Sequence, residues 1–221
     1  MSTDLGPLAL SLRVSVLATV AGCIVGIPLA WLLSRRSFRG RDVVSVIVLI
    51  PMVLPPTVLG YYLLVLIGRQ GPIGQLAEGL GLGRLVFTPT AAVIAAFVAS
   101  FPFLVRTAQA GFEQVDRVYE EAARTLGRGE FSIFLTVAVP LAWRGILAGV
   151  ALAFARAMGE FGATLMVAGN IPGSTQTASI AIYDAVQAFR LADAHVLALI
   201  LSIVSGLVLL AITRLGRGSG W

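Results

Sequence analysis

Arg156 and Glu160 stand four residues apart in the apolar stretch AFARAMGEFGATLMVAG. Positions i and i+4 share a helix face, so opposite charges there can pair. Left unpaired in such surroundings, each would cost several kcal/mol. Two readings follow: a structural lock, formed within the helix or across an interface, and direct contact with an anion. Other chemistry is scarce. All 16 basic residues are Arg and none is Lys, which excludes a Schiff-base Lys and the Lys of a phosphate-binding loop. The single Cys23 cannot form an intrachain disulfide, and the single His195 leaves no multi-His metal site. Both read as packing residues. No nucleophile stands beside a base in the apolar stretches, so an intramembrane enzyme is poorly supported.

The elements that must position these residues follow from composition. The chain has 57% hydrophobic and 12% charged residues and a mean hydropathy of +0.92, whereas a soluble domain carries about 25% charged residues. The reading is all-α: a polytopic membrane bundle, with residues 1–221 as one domain. Segments 8–33, 43–67, 88–110, 145–169 and 194–213 are long and apolar enough to cross. The first exceeds the apolar core of about 7–15 residues in a signal peptide, so it reads as a retained helix. Pro51, Pro55 and Pro56 interrupt the second, freeing carbonyls that a neighbouring helix or a water-filled cavity must satisfy. They serve either a packing kink or a path through the membrane. Gly22-x-x-x-Gly26 and Gly145-x-x-x-Gly149 permit close helix approach and read as packing.

Arg-rich short loops stay on the cytoplasmic side. Arg35, Arg36, Arg39, Arg41, Arg117, Arg124, Arg128, Arg214 and Arg217 fall on one side, against Arg13, Arg69, Arg84 and Arg190 on the other. Nine against four places residues 113–140 inside, the amino terminus outside and the carboxyl terminus in the cytoplasm. The net charge of +5 is thereby a topology signal, with no nucleic-acid partner expected. On the outer side, residues 68–87 read as a turn and a short interfacial helix, and GNIPGST as a turn. Residues 177–189 look helical but too short and polar to span alone, so they are expected to dip back between the spans.

The polar segment 113–140 interrupts this pattern. Val115, Val118, Tyr119, Ala122 and Leu126 recur at helical spacing, and Arg117, Glu120, Glu121 and Arg124 occupy the other faces. Gly127 then stops the helix. Four acids, Glu113, Asp116, Glu120 and Glu121, would be repelled by an anionic inner leaflet, so a protein partner is expected in place of a lipid surface.

The segment resembles the cytoplasmic signature of permease subunits of ATP-binding-cassette importers: EAA, three residues, Gly, nine residues, I-x-L-P. Here it reads Glu121-Ala122-Ala123, Gly127 and Val137-Ala138-Val139-Pro140, with Val in place of Ile and Leu. LIPMVLPPTVLGYYLLVLIGRQG, SFPFLVRTAQAGFEQVD and AFARAMGEFGATLMVAGNIPG are similar to the molybdate permease subunit, and sulfate permeases share EFG and GNIP. The short five-span length favours molybdate or tungstate over sulfate. The resemblance implies a homodimer in the cytoplasmic membrane of a bacterium or archaeon. In each copy a coupling helix, carrying Val118, Tyr119, Glu121, Ala122, Ala123, Leu126 and Gly127, would seat in one of two ATPase subunits. It further implies an external oxyanion-binding protein. Read from the residues themselves, Pro55, Pro56, Arg156 and Glu160 are the candidates to line the translocation path. This chain would hold no cofactor, ATP and magnesium belonging to the ATPase partner. A passive anion channel using Arg156 as its selectivity charge is the alternative from another class.

Overall fold

Pro7 lies in the first turn of α1 (Gly6–Arg35), whose fixed backbone angle suits a helix start. Its 30 residues give a rod of about 45 Å, longer than the hydrocarbon core of about 30 Å. The computed structural model describes residues 5–217, all in helices and connecting turns. Three further helices are long and apolar enough to cross a membrane: α5 (Pro89–Glu113), the run Glu130–Met158, and α11, of which Leu191–Arg214 qualifies within Leu191–Arg217.

The second expected span is not continuous. It divides into α2 (Arg41–Val53) and α3 (Pro56–Ile67), whose axes turn by 117°. Leu54 is extended, as a residue before proline must be, and Pro55 and Pro56 deny the donors that would continue the ladder. The pair still carries the chain from one end of the bundle to the other. Val48 of α2 packs with Ala30, Leu33 and Phe112, beside the carboxyl ends of α1 and α5; Leu59, Leu63 and Ile67 of α3 share a cluster with Ala91, Ala92 and Ala95 at the amino end of α5. A short α4 (Pro72–Gly79) follows in the loop.

The fourth span is displaced relative to 145–169. α7 (Glu130–Ile133), a π-turn over Phe134–Ala138 and α8 (Val139–Met158) form one continuous run. Pro140 explains the π-turn: its ring would strike the carbonyl of Thr136 in a regular helix, and the wider turn relieves the clash. Residues 130–140, expected in the polar interruption, therefore belong to a membrane helix. At the other end α8 stops before Gly159, and α9 (Gly162–Ala168) is separate. Residues 177–189 contain α10 (Ala178–Gln187), packed on α11 and α1, with the Ala178 N–H donating to Ser11 Oγ at 2.8 Å.

α5 is the central helix, packed between α1 and α8. Its inward face is a run of alanines, Ala91, Ala92, Ala95, Ala96, Ala99 and Ala108, all fully buried. Small residues let backbones approach where no hydrophobic effect drives helices together. A Cβ added to Gly111 would lie 2.8 Å from the Gly145 Cα, and one on Gly26 3.1 Å from Leu104. The glycine pairs do serve packing, with α5 as their shared neighbour.

Candidate coupling helix and translocation path

The polar interruption folds into α6 (Val118–Thr125). Asp116 Oδ1 accepts from the Val118 N–H at 3.0 Å, satisfying one donor at the helix start. At the end Gly127 adopts φ +78°, its N–H bonds Arg124 O at 2.9 Å, and the Arg128 N–H reaches Ala123 O at 3.1 Å. This reciprocal pair is the Schellman arrangement, which needs a left-handed residue at the position Gly127 fills.

The faces of α6 differ in part from the sequence reading. Val118, Tyr119, Glu121, Ala122 and Leu126 point outward, Leu126 being 82% exposed. Glu120, expected among the charged outer residues, is turned inward and is 1% exposed. Ala123 shares that inner face, three residues on, so it seats α6 on the bundle and leaves the other residues facing outward. Glu120 is buried because a cation meets it: Arg35 Nε lies 2.7 Å from Glu120 Oε1, and Arg35 Nη2 donates to Val115 O at 2.9 Å. Arg124 reaches Glu120 Oε2 at 3.5 Å and Glu130 Oε1 at 2.7 Å; its hydrogen bond to Glu130 pushes the guanidinium pKa up, against slight desolvation.

Within the membrane, the two broken helices meet. Pro56 opens α3 and Gly162 opens α9, and a Cβ on Gly162 would fall 2.8 Å from the Pro56 ring. A Cβ on Gly60 would meet Ala163 Cα at 2.9 Å. Pro55 and Pro56 are themselves exposed at the bend. Arg156 Nη1 lies 2.6 Å from Glu160 Oε2, with the Glu160 side chain 1% and the Arg156 side chain 29% exposed. Glu160 is not on α8, as the i,i+4 spacing implied, but in the break after it, where Oε1 accepts from the Ala163 N–H at 2.8 Å. The pair therefore forms within one chain, and Glu160 bridges the end of α8 to the start of α9. Sequence reasoning missed Arg35 and Glu120 as partners and Gly162 as a contact; GEFG, with glycines on either side of Glu160, was the visible signal for the break.

Residues 22–217 match the family model described as the binding-protein-dependent transport system inner membrane component. The chain belongs to this family of permeases. It is 45% identical to the molybdenum transport system permease protein ModB of Azotobacter vinelandii, over 95% of this chain and 92% of that one. It is 32% identical to a probable sulfate transport system permease protein cysT of Chlorella vulgaris, over 92% of this chain and 76% of the relative. The inward-facing MetNI methionine ABC transporter has the same fold, with a TM-score of 0.76, 18% identity and 98% of each chain covered. The permease is a multi-pass membrane protein, and these relatives are permease subunits.

Proposed function

We propose that this permease imports molybdate through the cytoplasmic membrane as the membrane subunit of an ATP-driven importer. The observation that carries this reading is a short, rigidly terminated helix that presents Val118, Tyr119 and Leu126 to solvent at one end of a membrane bundle. An exposed apolar face beside Glu121 has no use on an isolated bundle and fits a cleft in a partner. The similarity to ModB over nearly the whole chain favours molybdate over sulfate. Two copies would enclose the path, covering apolar residues such as Ile47, Ile50 and Val53 that α2 leaves exposed. Each copy would dock one ATPase subunit on α6, and an external binding protein would deliver the oxyanion at the opposite end.

ATP-driven closure of the ATPase pair would move two docked helices, and rigid spans would turn this into alternating access. The test is flux of labelled molybdate and sulfate into vesicles containing the permease alone, or with ATPase subunits, binding protein and ATP. We expect uptake only with all partners and a preference for molybdate. Rapid partner-independent flux would establish a channel instead, and a sulfate preference would shift the substrate.

A further inference from the structure

We infer that Arg35 and Glu120 form the mechanical joint through which the coupling helix drives α1, a role separate from docking the ATPase. The inference rests on the importer reading above. α6 and α1 share no extended helix packing, so long side chains bridge them. Glu120 and Arg35 are 2% and 6% exposed at the side chain and meet at 2.7 Å. Arg35 also grips the strap before α6, through Val115 O at 2.9 Å, and Arg117 Nη2 reaches back to Ser34 O at 3.4 Å. Arg36 and Arg124 both reach Glu130, at 3.4 and 2.7 Å, tying the base of the fourth span to the same point.

A buried pair of this kind is a poor source of stability, since apolar residues of equal volume commonly do as well. It does hold one geometry, because each charge is stranded if the contact opens. Glu120 immediately precedes the outward Glu121, so neighbouring carboxylates on one short helix have opposite tasks: one faces the partner and the other faces α1. α1 then runs the length of the bundle to Ser11, which accepts the Ala178 N–H of α10 at the far end. Arg35 and Glu120 are thus positioning residues, acting through α1.

The experiment uses the permease with its ATPase subunits and molybdate-loaded binding protein in vesicles, comparing Glu120→Gln, Arg35→Gln and the apolar double variant Arg35→Met with Glu120→Leu. Co-purification with the ATPase should survive in all three, since the outer face of α6 is untouched. ATP hydrolysis should lose its stimulation by loaded binding protein. Uptake should fall by about tenfold or more, within the usual range of coupling between sites. The double variant should regain the melting temperature lost by the single ones without regaining coupling.

Retained coupled uptake in the single variants would overturn the joint, as would recovery of coupling in the double variant, which would reduce the pair to avoidance of a stranded charge. Loss of ATPase co-purification would make Glu120 a docking residue. If either single variant fails to fold, the double variant decides. A wild-type complex without ATP-dependent uptake would defeat the importer reading and the joint together.

Discussion

Glu160 has one carboxylate oxygen on Arg156 and the other on the Ala163 N–H. Its charge is thereby balanced by a guanidinium and by the positive end of α9, where a backbone donor would otherwise lack a partner. Removing Arg156 strands a buried carboxylate, a change that costs about 3–5 kcal/mol for fully buried pairs and less where one partner is partly exposed. Arg156→Ala should therefore lower the melting temperature more than Arg156→Ala combined with Glu160→Ala. The double variant should stay below wild type, because the Ala163 cap is lost as well. Thermal unfolding of wild type, Arg156→Ala, Glu160→Ala and the double variant in detergent checks this, and strictly additive losses would show that the two charges act independently.

At the scale of elements, breaks and terminations set the architecture. Leu54, Pro55 and Pro56 end one helix and start another, Gly159–Phe161 do the same on the fourth span, and the two amino ends pack through Pro56 and Gly162. Gly127 terminates α6 in open space, with nothing within 4 Å of an added Cβ. Substitution there meets a conformational penalty alone, of about 1 kcal/mol for Ala and more for the β-branched Val. Gly127→Val should loosen the last turn of α6 and tilt Leu126 out of register. The expected result is weaker ATPase binding by at least severalfold, read by titration in detergent, with the melting temperature of the bundle nearly unchanged. Equal losses of both would mean that α6 is part of the bundle's stability.

For the whole molecule, each long helix and the α2–α3 pair carry the chain from one end of the bundle to the other, which puts Gly83 and Leu126 at opposite ends. With Cys23 replaced by Ala, a single cysteine at Gly83 should react with a membrane-impermeant maleimide from outside intact cells. A cysteine at Leu126 should react only after permeabilisation. The reverse pattern would invert the orientation given by the arginine distribution. Both sites are exposed in the permease, and cells lacking the ATPase subunits leave Leu126 uncovered, so labelling there reports sidedness in place of burial.

The sequence by itself determined the membrane class, the apolar segments and the short helix of the polar interruption, because each rests on local facts: run length, helical spacing, and a glycine where only a left-handed residue serves. Proline positions likewise announced that the second span is interrupted. The angle of that interruption, the start of the fourth span at Glu130 and the inward turn of Glu120 came only from the tertiary structure. Glu120 and Glu121 are the same residue type in adjacent positions, and the signature that begins at Glu121 does not say that Glu120 is buried. What separates them is Arg35, 85 positions away in the chain, whose guanidinium lies 2.7 Å from one carboxylate and leaves the other to face solvent. Local pattern specifies which helices form, whereas the burial of a charge depends on what the fold brings opposite it.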